Sequence, residues 1–322
     1  MADTANVGYA DIIVPAVFAD YVTARTTTLS ALVQSGIAVS NQQIQAAVAG
    51  GGDYASLPYW GDISGDSEVL PDGETANAAL TPGQITAAVQ QCVKQFRGRA
   101  WSTNDMAAMV AGNDPMASIA GGVALWWVRD EQARLIKILT GLFAVGGALA
   151  ATHLYDVSGG GRKLDGEVVL EGAQLLGDHK DMLVAIAMHS AKHSGLQAKN
   201  LVEYVRDPAT NEVLYSTYLG KRVIIDDGCP YAGGVYTSYL FGAGAIARAD
   251  VPVKVPAETQ RYALAGNDVL VSRQGLVLHP AGCTYVSGTG GRNPNNTVLA
   301  TATSWTKVWD AKQIRIVCLK TA

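Results

Sequence analysis

The sequence predicts an α+β fold, and three observations carry that expectation. Residues 115–144 sustain one helical pattern of apolar positions. Residues 50–83 are cut by Gly, Pro, Asp and Ser into short apolar pieces, the texture of a long hairpin or loop. From residue 162 onward, short helical and strand-like segments alternate. At about 150 residues per domain, 322 residues make roughly two domains or one large one.

The first element is helical. Pro15 stands where a first turn accepts proline, and Val17, Phe18, Tyr21, Val22, Leu29, Leu32 and Val33 follow at helical spacing until Gly36. The β-branched run Thr26, Thr27 and Thr28 divides this stretch into two short helices. After the punctuated region, part of Gln84 to Arg97 reads as the return strand of the hairpin, with Ile85, Ala87 and Val89 alternating onto one face.

Asp114 before Pro115 is a helix start, an N-cap acid with proline in the first turn. Ile119, Val123, Trp126, Trp127, Leu135, Leu139 and Leu142 supply its apolar face, so the two tryptophans read as core. A helix to Ala144 is about 45 Å long. Asp130 and Arg134 stand four residues apart, placed to pair. Gly121 and Gly122 cost about 1 kcal/mol each in a helix and mark a bend or a close approach. The apolar stretch from Ile138 to Ala151 is shorter than the roughly 20 residues a membrane span needs, so it reads as the end of a buried helix and the turn after it.

Gly159, Gly160 and Gly161 open a second unit. It reads as a helix from Glu167 to Leu176 closed by Gly177, a strand Leu183 to Met188, a helix Ser190 to Lys199, and strands Lys221 to Ile225 and Val235 to Phe241. Beyond Val251 the best strands are Asp268 to Leu278 and Gln313 to Leu319, and Gly288 to Asn296 (GTGGRNPNN) reads as a surface loop.

Candidate chemistry is sparse. Phe241 to Ala247 (FGAGAIA) has the glycine spacing of a dinucleotide-binding turn, but Asp250, Pro252 and Pro256 follow where a helix is required, so it reads as a tight turn between strands. His189 and His193 are four apart on a predicted helix, a zinc-competent spacing, yet no third ligand is close except Glu203, and a capping or surface role is favoured. His279 before Pro280 reads as a strand-end residue. Cys92, Cys229, Cys283 and Cys318 form no C-x-x-C pair and read as reduced structural thiols. There is no nucleophile elbow and no Walker loop, so no catalytic residue, metal or cofactor is assigned.

Charge is the informative anomaly. Only 16% of residues are charged, against about 25% in ordinary soluble domains, which calls for cover by either a membrane or a large subunit interface, and the interface is favoured. The net charge of −4 argues against a whole-chain nucleic-acid footprint. No Lys or Arg occurs between Arg25 and Lys94, whereas Asp53, Asp62, Asp66, Glu68, Asp72 and Glu74 do; residues 94–322 carry 23 basic and 19 acidic groups. An acidic hairpin on a basic remainder is a ready contact between copies of one chain.

Four segments then fall in a familiar order: Ala10 to Gly36 (ADIIVPAVFADYVTARTTTLSALVQSG), Leu57 to Leu70 (LPYWGDISGDSEVL), Phe96 to Ile119 (FRGRAWSTNDMAAMVAGNDPMASI) and Tyr218 to Gly228 (YLGKRVIIDDG). With the ending SWTKVWDAKQIRIVCLK, they resemble the major capsid proteins of tailed bacteriophages. That resemblance implies the Hong Kong 97-type coat fold. Its parts would be an N-terminal arm (1–49), an E-loop (50–100), a P-domain with a spine helix (101–161), an A-domain (162–250), and a return to the P-domain with C-terminal strands (251–322).

It further implies a structural protein, not an enzyme, that self-assembles as pentamers and hexamers of an icosahedral head around double-stranded DNA held non-specifically. The head would form in the host cytoplasm and become part of the virion, with a portal as partner and no membrane. Scaffolding and decoration proteins, where used, would be separate chains, or the scaffolding segment would already be removed. The rival within the fold is an encapsulin-like compartment shell, and the rival outside it a nucleotide-dependent enzyme. One subunit's E-loop would lie across its neighbour's P-domain, bringing Asp62, Asp66, Glu68, Asp72 and Glu74 onto Arg97, Arg99, Arg129, Arg134 and Lys137.

Overall fold

The computed structural model describes residues 35, 37–40, 42–61, 63, 65–68, 82–85, 87–111, 115–207 and 210–322. The two helices expected before Gly36 lie outside them. Residues 37–49, grouped by sequence with the arm, are packed into the body. Strand β1 (Ala38–Val39) and helix α1 (Gln42–Ala49) carry Ile44 and Val48 inward, and both are almost wholly buried, as is Ile37.

The punctuated region is a hairpin. Strands β2 (Tyr54–Trp60) and β3 (Ala87–Val93) pair antiparallel from Tyr54 opposite Val93 to Trp60 opposite Ala87. Alternation is real, but the buried face is the opposite of the one the sequence suggests. Ala55, Gln90 and Cys92 point inward, while Ile85 and Val89 are 48% and 52% exposed. The reason is tertiary: the hairpin base lies by one face on Ile44, Val48 and Ala249 and leaves the other uncovered in a single protomer.

The return strand occupies the middle of the expected span and ends at Val93. At Lys94 the chain changes sheets, and β4 (Gln95–Asn104) pairs antiparallel with the long β14 (Asn267–Pro280). Lys94 is buried at this joint, its backbone N–H donating to Asp53 O at 3.0 Å and its Nζ to Gly50 O at 2.5 Å.

After α2 (Asp105–Ala111) comes α3 (Pro115–Leu142), a helix of 28 residues and about 42 Å that continues through Gly121 and Gly122. The cap expected from Asp114 lies outside the described residues. Trp127, Glu131, Arg134, Leu135, Ile138, Leu139 and Leu142 form its buried stripe. Trp127 donates from Nε1 to Ser272 Oγ at 2.8 Å, tying α3 to β14.

In the second unit, β5 (Leu154–Asp156), α4 (Gly166–Ala173), β6 (Leu183–Met188), α5 (Ser190–Ala198), β7 (Glu203–Arg206), β8 (Val213–Tyr218), β9 (Lys221–Ile225), β10 (Tyr231–Ala232) and β11 (Val235–Gly242) follow in order. With the last strand, β17 (Ile316–Thr321), they build a sheet ordered β5-β17-β11-β6-β9-β8-β7, with β10 on β11. Asp165 caps α4 by accepting from Val168 N at 3.0 Å, and Gly177, at φ 60°, ends the helical run.

The FGAGAIA turn carries the chain out of this sheet. β12 (Ile246–Val251) pairs with β14 and with β1 in a second sheet that β13 (Ala257–Tyr262) completes. A strand follows the turn, so no helix N-terminus is offered to a pyrophosphate. β15 (Cys283–Tyr285), the short helical turns α6 (Ser287–Gly290) and α7 (Asn296–Leu299), and β16 (Trp305–Lys307) precede β17. The core beneath α3 draws on both sheets, joining Leu135, Leu139 and Leu142 to Tyr239, Phe241, Ile316, Leu276 and Leu278.

Candidate intersubunit surface

Of the five acids assigned to the hairpin tip, Asp66 and Glu68 are described and exposed, whereas Asp62, Asp72 and Glu74 lie outside the described residues. The basic partners divide. Arg99 and Lys137 are exposed, and Arg99 lies 6.0 Å over the Trp126 ring. Arg129 is partly exposed.

Arg97 is half-buried and already engaged. It donates to Asn293 Oδ1 at 3.1 Å and to Pro294 O, while the Asn293 amide bridges the backbone N–H and carbonyl of Phe96 at 3.1 and 3.0 Å. The GTGGRNPNN segment is therefore a clamp on β4 and not a free surface loop. Tyr54 strengthens it by donating to Gly291 O at 3.0 Å.

Arg134 requires a correction. Its side chain is fully enclosed, 2.9 Å from Asp130 and 3.3 Å from Gln274 Oε1, so it cannot receive an acid from outside. Burial pulls its pKa down and Asp130 counters that. The expected Asp130–Arg134 pair exists, but as an internal contact. Beside it, Arg248 grips Glu131 with two bonds of 2.5 and 3.1 Å.

The remaining candidates are structural. His189 caps α5 by accepting from Ala191 N at 3.1 Å, and His193 is buried with a lowered pKa. No cluster of three metal-ligating side chains occurs among the described residues. His279 is buried against Gln90 at 3.2 Å, and burial pushes its pKa down to about 4. All four cysteines are free and buried; burial lifts Cys92 and Cys283 to about 12. No helix among the described residues is long and apolar enough to cross a membrane.

Sequence reasoning missed the uncovered apolar face. Trp60 and Val89, 69% and 52% exposed, share one face of the hairpin, and Ile63 and Ile85 beyond the paired strands are 85% and 48% exposed. The signal was available in the alternation, but the alternation alone does not say which side the body occupies. Such a stripe on a low-charge chain marks a protein-contact surface.

A family model for Gp13-like major capsid proteins (major capsid protein 13-like) matches residues 16–314. The chain belongs to that family. The "Major capsid protein" of Bacillus phage SPP1 is 39% identical over 319 residues, covering 96% of each chain. Solved structures with the same fold include the capsid of Ralstonia phage GP4 (TM-score 0.56, 8% identity, 88% of this chain and 87% of that one) and Mycobacterium phage Bobi (TM-score 0.56, 12% identity, 91% and 90%). The cyanophage Pam1 capsid is similar at TM-score 0.54 and 12% identity, over 86% of each chain.

The family is one of phage capsid subunits, and the chain is a bacteriophage major capsid protein with the Hong Kong 97-type α+β fold. In that setting the clamp, the hairpin and the long helix α3 are parts of a capsid subunit.

Proposed function

We propose that this chain assembles into the pentamers and hexamers of an icosahedral head enclosing double-stranded DNA. The proposal includes a portal, any scaffolding or decoration proteins as separate chains, assembly in the host cytoplasm, and no catalytic task. The observation that carries it is the uncovered apolar face of the hairpin, with acidic Asp66 and Glu68 beyond it and basic Arg99, Arg129 and Lys137 on the body.

Magnitudes rank these contacts. Each exposed ion pair contributes about 0–1 kcal/mol. Full burial of a Val or Ile contributes about 1.5–3 kcal/mol, so half-exposed side chains still gain on the order of 1 kcal/mol each. The apolar face therefore drives association, and the charges set register and salt dependence. The clamp on Arg97 and the joint at Lys94 hold the hairpin base at a defined angle.

Electron microscopy of the purified chain tests the proposal, with closed shells expected. Val89→Asp should impair assembly more than Lys137→Glu. Glu68→Arg should partly restore Lys137→Glu, and Asp66→Arg should partly restore Arg129→Glu. Shells that form with unchanged salt dependence when Arg99, Arg129 and Lys137 are all reversed would overturn the charge assignment. Monomers only, under every condition, would overturn the assembly itself.

A further inference from the structure

Where the hairpin leaves the body, a cavity of about 300 Å³ opens between β2 and the segment after β16. Tyr59, Trp60, Trp309, Asp310 and Gln313 are among its lining residues, and of the two β2 aromatics the Tyr59 ring shares the face of Ala88 whereas Trp60 lies on the opposite face with Val89. Tyr59 and Trp309 meet edge to face with centroids 6.3 Å apart, and Trp60 stands 69% exposed at the rim. The floor is rigid. The backbone N–H groups of Val308 and Trp309 both donate to Gly282 O, at 2.9 and 3.1 Å, and Asp310 Oδ1 accepts from Lys312 N at 3.0 Å.

Aromatic rings beside a carboxylate attract a cation, because ring quadrupoles present negative faces and Asp310 adds a formal charge. Elsewhere the rings that meet cations do so within the protomer: Trp126 with Arg99, Tyr236 with Lys192 and Tyr215 with Arg222. Among the described residues no cation lies over Tyr59, Trp60 or Trp309, and Asp310 has no ion-pair partner. The stretch that supplies Tyr59 and Trp60 lies between Arg25 and Lys94, where no Lys or Arg occurs, so the hairpin cannot fill the cavity with its own cation.

We propose that this cavity is a socket for a lysine or arginine side chain of a second copy of this chain. The proposal rests on the self-assembly proposed above. The occupant follows from charge complementarity: the chain beyond residue 93 carries the basic surplus, and Arg292, Lys137 and Lys254 are exposed on it. An inserted side chain would brace the hairpin base against the C-terminal segment, coupling occupancy of the interface to the angle at which the hairpin projects.

The experiment uses the full-length chain and the protein concentration at which shells appear, followed by light scattering and checked by electron microscopy. Tyr59→Phe should assemble near the wild-type threshold, whereas Tyr59→Leu and Asp310→Asn should each raise it roughly 2- to 30-fold. Tetramethylammonium chloride should inhibit wild-type assembly more than sodium chloride at equal ionic strength, and Tyr59→Leu should lose that excess.

Equal thresholds for Tyr59→Leu and Tyr59→Phe would mean an apolar contact only and overturn the socket. So would an absence of excess inhibition by tetramethylammonium in the wild type, an arm that needs no variant to fold. Wild-type shells accompanied by either result sink the socket alone, while wild-type failure to form shells sinks the assembly reading.

Discussion

Gly141 and Gly122 lie in the same helix, α3, and should respond oppositely to the same substitution. Helix propensity alone predicts that replacing either by alanine stabilises the chain by about 1 kcal/mol. At Gly122 nothing lies within 4 Å of an added methyl group, so that gain should be realised. At Gly141 a Cβ would press on the Leu299 carbonyl oxygen and stand 3.1 Å from Ala300 C and 3.2 Å from Trp305 Cδ1.

The Leu299 oxygen is also the acceptor for buried Trp305 Nε1 at 2.9 Å. Relieving the clash means shifting the α7 turn, which costs about 1–3 kcal/mol for overpacking and about 1 kcal/mol for the weakened hydrogen bond. Net of the propensity gain, Gly141→Ala should be destabilised by about 1–3 kcal/mol. At roughly 2–4 °C per kcal/mol, the unassembled Gly141→Ala chain should melt about 2–12 °C lower, and Gly122→Ala about 2–4 °C higher. Differential scanning calorimetry on sedimentation-verified monomer measures both. A Gly141→Ala chain that melts at or above the wild type would refute the close approach of α3 to the Leu299 turn.

Glu131→Ala should cost about 3 kcal/mol in urea unfolding, the low end for breaking a buried pair, because Arg248 keeps Asp250 at 3.0 Å; Glu131→Leu with Arg248→Met should recover most of it. His279 resists protonation down to about 4 when folded, whereas the unfolded imidazole takes up a proton near 6.5. Stability is therefore complete above pH 6.5 and falls as the pH drops toward 4, by about 3 kcal/mol; His279→Gln should flatten that fall in denaturation curves taken across this range. Boiled, denatured shells should run as one monomer band. Residues 53–84 contain no lysine, and Lys94, the first in the chain, is sequestered on Gly50 O, so a ladder of multimers linked through the hairpin would refute this.

Local signals decided much of this molecule. The apolar pattern after Pro115 made the spine helix legible to within two residues of its end. Period-two runs and turn residues placed β6 and β9 with their observed limits, because these segments are buried and their local preferences agree with their packing. The charge asymmetry of the hairpin was likewise visible in composition. The short, exposed strands β7 and β13 were not legible, since their residues are mostly solvated and their pairing comes from long-range partners.

Only the tertiary structure decided which face of an alternating strand meets the body, and it turned Ile85 and Val89 outward by seating Ala55 and Cys92 on α1 and β12. Arg134 makes the same point. Its i,i+4 spacing to Asp130 announced a pair, but spacing on one helix says nothing about what covers it. The packing of β14 over α3 made that pair an interior contact instead of a docking point. A sequence repeats its preferences every two or 3.6 residues, whereas burial is set by elements far apart in the chain. Trp60 and Trp309, 249 positions apart, could become one cavity only after the chain had folded.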